Sequence, residues 1–283
     1  MIYGLLAALG FGLADFEGAL AGRRIGSLWT VMLGQALSAI VITGILLWSG
    51  HSLAPLGPVV GLVALNGITA AAAYQTHYHA LELGPVAVVS PIGGLYAVVG
   101  VALSVVFLGE RPGAIALVGS GIAVVGVTLV STDLRQFRAG IRGVARGVPW
   151  ALVSAVAFGV AGFLLGYLSQ RAGWIVGLWS SRVAQVACYI PLAFVARPGL
   201  PKRSDRRGIA IALVAGVADI VGVIGLSVGA ERGFVSVTIA ASAVFPLVAV
   251  VLSILILRER LVPNQIVGIG LVVGGLLLLG LGA

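Results

Sequence analysis

The chain has 283 residues, of which 60% are hydrophobic and only 9% are charged. A soluble domain of this length cannot cover so much apolar surface, so the composition excludes a water-soluble fold and predicts a lipid environment. The formal charge of +8 does not indicate nucleic-acid binding, because no basic patch is interleaved with aromatic residues.

Ten segments have the length and apolar character of transmembrane helices, which need about 20 residues each. We therefore predict an all-α polytopic membrane protein. Connections are short except for a basic linker at 132–146, which divides a first five-helix half, 1–131, from a second, 147–283. The predicted helices, numbered 1 to 10 in chain order, are 2–21, 28–48, 58–81, 85–107, 112–131, 147–168, 174–196, 208–229, 234–257 and 263–282.

Much of the first half is repeated in the second at an offset of 149 residues, and in predicted helices 1 and 6 the stretch beginning at Phe11-Gly12 resembles the stretch beginning at Phe158-Gly159. Because each half has five helices, an odd number, the second half enters the membrane from the opposite side. The repeats are thus predicted to be inverted, and transporters of this kind bind substrate between the two halves. Glu82, Gly84, Ser104 and Glu110-Arg111 correspond to Glu231, Gly233, Ser253 and Glu259-Arg260.

Basic residues lie mainly on the side of the first loop, which the positive-inside rule predicts to be cytoplasmic. Both termini are then outside. The bias towards Arg, Ala and Gly indicates a GC-rich bacterial genome, and we expect the protein in the bacterial inner membrane. The first side has Arg23, Arg24, Arg135, Arg138, Arg142, Arg146, Arg197, Lys202, Arg203, Arg206, Arg207, Arg258 and Arg260, and the other has Arg111, Arg171 and Arg232.

Ionisable residues within the apolar segments are costly, at about 2.5–3.5 kcal/mol each on insertion scales, and they normally pair or face a wet cavity. Asp15 lies on a face of small residues that leaves room for a ligand. Asp219 corresponds to Ala70 in the first half, so the repeat does not require it. Arg182 is predicted to form an ion pair with Asp15 or Asp219, and such structural pairing is the alternative to function. The excess of acids suits a cation, an ammonium group or a proton.

Predicted helix 3 carries a polar run that cannot all face lipid. Tyr74, His77 and Tyr78 are candidates for the substrate pathway, and we expect either His77 or His79 to line it. The alternative is a hydrogen-bonded histidine that only packs. Two histidines two residues apart point about 200° from each other on a helix, so no metal site is predicted. No cofactor is expected either.

Predicted helices 4 and 9 contain Pro91 and Pro246, each of which removes a backbone donor and is predicted to break its helix. A simple kink is the alternative. Tyr96 and Phe245 occupy equivalent repeat positions, and they are candidates for the aromatic walls of a cavity.

Predicted helices 5 and 10 lack charge and carry small residues four apart, which permit close helix packing. We expect these residues to pack helices 5 and 10 together within one chain. A homodimer formed through the same helices is the alternative. These positions are Ala116, Gly119, Ser120, Ala123, Gly270 and Gly274.

No enzyme is predicted, because the chain has no P-loop, no zinc-ligand spacing and no Gly-x-Ser-x-Gly motif. The run from Tyr78 to Ile92, followed by Gly109-Glu110-Arg111, resembles helices 3 and 4 of the EamA-like family of the drug/metabolite transporter superfamily. The second half resembles the matching part through Val235-Ser236-Val237, Pro246, Glu259-Arg260-Leu261, Gln265, Gly268 and Gly275.

This resemblance implies ten helices in two inverted five-helix repeats around a central cavity, which helices 1, 3, 4, 6, 8 and 9 line in relatives. It also implies alternating access and transport of amino acids, other metabolites or drugs. Small multidrug relatives bind protons and drugs at a helix 1 carboxylate, which Asp15 resembles in placement. Many relatives have cytoplasmic termini and a basic second loop, whereas the loop 49–58 has no Lys or Arg. Transport direction is therefore not carried over.

We predict a secondary transporter of a small polar metabolite, with amino acid or amine export favoured. Asp15 and Asp219 would bind an ammonium group or exchange protons. The expected partners of the protein are then the bilayer and a small-molecule substrate. A proton-coupled exporter of cationic drugs and a non-transporting membrane scaffold or sensor subunit are the alternatives. Aromatic packing of the substrate is assigned to Tyr74, Tyr78, Tyr96 and Phe245.

Overall fold

The computed structural model describes residues 2–111, 113–130, 146–201, 205–259 and 261–282, and these contain helices and no strands. Eight helical spans among the described residues are long and apolar enough to cross a membrane, with each broken helix counted as one span, and Pro263–Leu278 is a shorter apolar stretch of the last helix. The protein is therefore an all-helical, multi-pass membrane protein.

The helices are numbered α1 to α10 to match the predicted segments, and two of them are split into parts a and b. A short 3₁₀ helix, Ala54–Val59, precedes α3, and a π-helical turn, Ser253–Leu257, follows α9b. The bounds are α1 Ile2–Ile25, α2 Ser27–Ser49, α3 Val60–Leu83, α4a Val86–Gly94, α4b Tyr96–Leu108, α5 Ala114–Val130, α6 Val148–Ala172, α7 Trp174–Ala196, α8 Arg206–Arg232, α9a Val235–Ser242, α9b Phe245–Leu252 and α10 Pro263–Gly282.

The predicted number of ten membrane spans is only partly matched. Predicted helix 5 corresponds to Ala114–Val130, which has 17 residues and is short for a span. Predicted helix 10 contains the shorter apolar helix Pro263–Leu278. The predicted linker 132–146 lies outside the described residues except for Arg146.

Both broken helices are interrupted at equivalent repeat positions, at Leu95 between α4a and α4b and at Val244 between α9a and α9b. Pro246 lies in the first turn of α9b, where no backbone donor is needed. Pro91 instead lies inside α4a and does not end it. The first break follows two adjacent glycines, 93 and 94, whose low helix propensity favours an interruption there.

Glycines in one half leave room for the backbone of the other half. The backbone that they contact begins the second part of each broken helix. A Cβ added at Gly12 of α1 would lie 2.6 Å from the carbonyl oxygen of Phe245, which begins α9b. A Cβ added at Gly159 of α6 would lie 2.8 Å from the carbonyl oxygen of Tyr96, which begins α4b. The repeat seen in the sequence is therefore also a repeat of contacts between the halves.

Each half also caps a helix of the other half with a carboxylate. Glu110 accepts hydrogen bonds of 3.0 Å from the backbone N–H groups of Val235 and Ser236, at the start of α9a. Glu259 accepts equivalent bonds at the start of α4a. Neither α4a nor α9a has a side-chain cap from its own N-cap residue. The first backbone N–H groups of a helix have no partner within that helix, and these carboxylates accept hydrogen bonds from them.

α5 and α10 pack on each other within the chain. A Cβ added at Gly126 of α5 would lie 2.6 Å from the backbone nitrogen of Val272 of α10. Such packing within the chain is one of the two roles predicted for the small residues of these helices. Gly121, Gly270 and Gly274 face open space, and the side chains of Ala116, Ser120 and Ala123 lie outside the described part of the chain. A homodimer through this face stays a prediction.

Candidate functional site

A cavity of about 80 Å³ lies between the two halves. A water molecule needs about 10–15 Å³ in this measure, so the cavity has room for several waters or a small polar group. Pro91 and Pro246 are not among the described residues that line it. The predicted residues that do line it are Asp15, Tyr74, His77, Tyr78, Tyr96, Arg182, Asp219 and Phe245.

Asp15 is held on one wall of the cavity by neutral or ionisable partners rather than by an arginine. Asp15 is buried, with only 6% of the residue exposed. His77 Nε2 lies 2.9 Å from Asp15 Oδ1, and Ser90 Oγ donates a hydrogen bond of 2.5 Å to Asp15 Oδ2. Asp15 thus joins α1 to α3 and α4a, and it has no ion-pair partner other than His77 among the described residues.

The second nitrogen of His77 lies beside a serine of α6. His77 Nδ1 is 3.3 Å from Ser154 Oγ, and that hydroxyl donates to the carbonyl of Ala151 at 2.8 Å. A hydrogen bond between His77 Nε2 and Asp15 needs a proton on one of the two bonded atoms. His77 thus connects Asp15 of α1 to α6 as well as to α3.

Glycine makes the position of His77 possible. A Cβ added at Gly93 would lie 2.7 Å from His77 Cε1, so a larger residue in α4a would displace the ring. His79, by contrast, points away from this cluster. It lies 3.5 Å from Glu82, its ring packs edge-on against Trp150 at 5.2 Å between ring centres, and its side chain is 36% exposed. Of the two histidines, His77 is the one that lines the cavity.

Asp219 lies in a second, more densely bonded cluster. Its Oδ1 accepts a hydrogen bond of 2.5 Å from the Tyr74 hydroxyl, and its Oδ2 accepts bonds from Arg182 at 3.0 Å and from Gln35 at 3.3 Å. The carboxylate charge is matched by the guanidinium, as buried ions require. Arg182 therefore pairs with Asp219 and not with Asp15.

Arg182 has further partners on three helices. It donates to Tyr74 at 3.1 Å, to Gln185 at 2.7 Å and to Gln35. Its guanidinium also lies 5.1 Å from the centre of the Tyr74 ring. The Nε atom of Arg182 is buried without a hydrogen-bond partner among the described residues, which leaves one donor of this cation unused.

Aromatic rings form the walls between the two clusters. Phe158 packs edge-on against Tyr74 at 4.8 Å and against His77 at 5.5 Å. Phe245 lies 6.2 Å from Tyr96 and 6.4 Å from Phe11. The Tyr96 hydroxyl bonds to Ser242 of α9a, and the lining of the cavity is mostly apolar.

Sequence reasoning missed several residues of this site. Phe11 and Phe158 could have been found, because they occupy equivalent positions of the repeat and both line the cavity. Ser90 and Ser154 gave no signal, since single serines are common in apolar helices. Asn66 donates to the carbonyl of Ala161 at 2.7 Å and so connects α3 to α6 beside the cavity.

Comparison with known proteins gives a family and a fold. No curated protein matches the sequence. A crystal structure of another protein has a TM-score of 0.70 to this chain and covers 99% of it and 96% of its own chain. At 20% identity this likeness shows the fold alone. A family model described as the EamA-like transporter family matches residues 1–132 and 145–281, which is nearly the whole sequence. The chain therefore belongs to the EamA-like transporter family, a family of membrane transporters of the drug/metabolite type.

Proposed function

We propose that the protein is a secondary transporter that exchanges a proton for a small metabolite carrying an ammonium group, an amine or an amino acid. The observation that carries this proposal is the buried contact between Asp15 and His77 on the wall of the central cavity. We propose that this pair takes up and releases one proton, so that it is neutral with the proton and negative without it. Family membership supports transport, and the chemistry of this pair supports the substrate class and the coupling.

The charge of the cavity follows the occupancy of that pair. Asp219 and Arg182 together contribute no net charge. When the Asp15–His77 pair holds its proton it is neutral too, and a cation gains nothing by entering. When the proton leaves, one negative charge faces a buried cavity, where the low dielectric makes its attraction for an ammonium group strong. Proton and substrate thus exclude each other, which is the requirement for exchange.

The far end of the cavity favours an amino acid over a simple amine. Arg182 lines the cavity and keeps an unused donor at Nε, so it can take a carboxylate while Asp15 takes the ammonium group. The aromatic rings between these two residues suit an apolar side chain. Asp219 then serves to hold Arg182 in place rather than to bind the substrate directly.

The proposal includes the arrangement of the chain in the membrane. We infer ten spans in two inverted five-helix repeats, 1–131 and 147–283, which rock about the cavity to expose it to one side at a time. The basic side, which includes Arg23 and Arg258, is placed in the cytoplasm of a bacterial cell with both termini outside. Export follows if the proton gradient points inward.

The experiment that tests this function is a thermal-shift screen of purified protein with amino acids, amines and nucleosides. Only a ligand that prefers the folded state raises its stability. The best ligand is then followed in proteoliposomes with an imposed pH gradient. We expect its uptake to follow the gradient in the parent and to be lost in Asp15→Asn. Gradient-driven transport that persists in Asp15→Asn contradicts the proposal.

Export of cationic drugs is a second candidate, favoured by the aromatic walls formed by Phe11, Phe158 and Phe245. Large aromatic cations gain most from such rings. A drug exporter does not need the guanidinium, so the charge-balanced double variant Asp219→Asn/Arg182→Gln would leave cation transport intact. Loss of transport in this double variant, with the protein still folded, favours the amino acid.

A further inference from the structure

We propose that Glu259 and Glu110 are latches that close the cavity at the two faces of the protein and open in turn. The proposal rests on the proposed transport function, since a latch matters only if the cavity opens alternately. It assigns a role to the Glu-Arg motif, which neither the cavity nor the proton chemistry uses.

The first latch, defined by Glu259 and the start of α4a, lies on the basic face. Glu259 Oε1 accepts from the backbone N–H of Val86 at 3.0 Å, and Oε2 accepts from that of Ala87 at 2.9 Å. Arg23 of α1 donates to the carbonyl of Gly84 at 2.9 Å and lies 3.5 Å from Glu259. One carboxylate of the second half therefore holds two segments of the first.

The second latch, defined by Glu110 and the start of α9a, lies on the opposite face. Glu110 binds Val235 and Ser236, which are the residues 149 positions after Val86 and Ala87. Gln170 takes the place of Arg23 here, and its Nε2 donates to the carbonyl of Gly233 at 3.2 Å. The second latch is thus the same device, with no cation paired to its carboxylate among the residues that the structure describes.

Each latch is connected to the cavity through the helix that it caps. α4a carries Ser90, one helical turn beyond Val86, and Ser90 donates to Asp15. α9a ends at Ser242, which bonds to the Tyr96 hydroxyl on the cavity wall. Movement of either short helix away from its carboxylate therefore changes a contact inside the cavity. The latch and the binding site are coupled in this way.

The energies suit contacts that break and re-form. A hydrogen bond to a charged group contributes only a modest net free energy to stability, because water replaces the lost partner. A recess of about 310 Å³ lies beside Arg23 and Glu259, so a released carboxylate has water at hand. The Asp15 and Asp219 clusters, by contrast, are buried and cannot separate at so small a cost.

Both latches are closed in the structure, and the cavity between them is small. Because the halves are related by the repeat, opening at one face is expected to leave the contact at the other face intact. The replacement of Arg23 by Gln170 at the second latch makes the basic-face latch the stronger one. The resting protein should then open more often at the face of Glu110.

The test measures the access of a thiol reagent to the cavity from each face. The background is Cys188→Ser, which removes the sole cysteine, and the reporter is Ala70→Cys on the cavity wall. A membrane-impermeant, charged methanethiosulfonate is added to sealed vesicles of either orientation. Surface reporters Ser52→Cys and Gly199→Cys, on opposite faces, show which face the reagent meets.

We expect Glu259→Gln to speed labelling from the basic face several-fold and Glu110→Gln to speed it from the opposite face. The two variants are matched controls, since each breaks the same bonds at its own face. Gln170→Arg supplies the missing cation, and we expect it to slow labelling from the face of Glu110 without weakening the fold. Thermal midpoints show whether each variant is folded.

Equal effects of Glu110→Gln and Glu259→Gln on both faces, or no effect of either, would overturn the latch. Labelling of the parent from both faces in that case leaves the transport proposal standing. A parent whose Ala70→Cys reporter is never labelled, while the surface reporters are, contradicts the transport proposal and the latch together.

Discussion

Arg182 and Asp219 form a buried ion pair in which the guanidinium donates to the carboxylate at 3.0 Å, and the two residues are only 2% and 1% exposed. Removing one member leaves the other charge buried without a counter-ion, which costs about 3–5 kcal/mol. We therefore predict that Asp219→Asn lowers the thermal midpoint of the detergent-solubilised protein strongly, and that Arg182→Gln does the same.

The double variant Asp219→Asn/Arg182→Gln supplies the control. It leaves no uncompensated charge, so it should be less destabilised than the sum of the two single variants. Additive losses in the double variant would show that the two charges do not stabilise each other. The Asp219 cluster would then have to be explained by its hydrogen bonds alone.

The Asp15–His77 pair predicts a pH dependence of ligand binding. A proton that competes with a cationic ligand for one site weakens binding up to about tenfold per pH unit as the pH falls. The other ionisable groups on the same cavity wall are Tyr74, Tyr78, Tyr96, Arg182 and Asp219. We expect the stabilisation by the best ligand of the thermal-shift screen to fall with falling pH in the parent.

The matched variants separate this pair from its neighbours. Asp15→Asn cannot supply the negative charge, so it should bind weakly at every pH. Tyr78→Phe keeps the pair intact, and its ligand stabilisation should retain the pH dependence of the parent. Ligand stabilisation that grows as the pH falls would contradict proton competition.

The interlocking glycines predict opposite effects for the same substitution at two sites. An added Cβ at Gly12 meets the carbonyl oxygen of Phe245 and the Cβ of Val248, each at 2.6 Å. Since backbone cannot give way, Gly12→Ala should cost about 1–3 kcal/mol through overpacking. Gly44 of α2 has no atom within 4 Å of its added Cβ. Gly44→Ala should therefore gain up to about 1 kcal/mol from helix propensity.

The shift of the thermal midpoint measures both changes. Gly159→Ala, the repeat equivalent of Gly12→Ala, should behave like it and also displace the wall residue Tyr96. A stable Gly12→Ala protein with unchanged ligand binding would show that α1 and α9b do not need to touch.

The existence of the apolar helices was predictable, whereas their ends were not. Predicted helix 1 stops at residue 21, but α1 runs to Ile25 and includes Arg23 and Arg24. Predicted helix 8 covers 208–229, and α8 runs from Arg206 to Arg232. Hydropathy reports the part of a helix that suits lipid, and charged residues continue the helix beyond that part because they are good helix formers.

The residues of the site were predictable one by one, but their partners were not. Burying a charge is costly, so Asp15, Arg182 and Asp219 stand out in any apolar sequence. Which of them meet depends on the rotation and depth of helices far apart in the chain. The sequence left Arg182 with two possible partners, and it did not pair Asp15 with His77, which lies 62 residues away.

The role of the Glu-Arg motif escaped sequence reasoning even though its repetition was found. A physical signal was present. α4a and α9a follow Gly84-Pro85 and Gly233-Phe234, and none of these residues has a side chain that can cap a helix. Two helix starts lack a capping side chain, and two acids recur at the same repeat offset. Together these features predict that each acid caps one of the two helix starts.

The ends of α2 and α7, the second helices of the two halves, carry the last prediction, because different residues end them in the same left-handed conformation. Gly50 follows α2 with φ 67°, and Arg197 follows α7 with φ 41°. In both turns the backbone N–H bonds back to a helix carbonyl, at 3.1 Å for Gly50 and 2.9 Å for Arg197. Left-handed backbone costs a residue with a Cβ about 1–2 kcal/mol, and glycine avoids that cost.

Arg197→Gly should therefore raise the thermal midpoint and Gly50→Ala should lower it. Both positions are exposed, and an added Cβ at Gly50 meets no atom within 4 Å, so packing does not confuse the comparison. A loss of stability in Arg197→Gly would mean that the arginine side chain stabilises the end of α7 by more than its backbone strain costs.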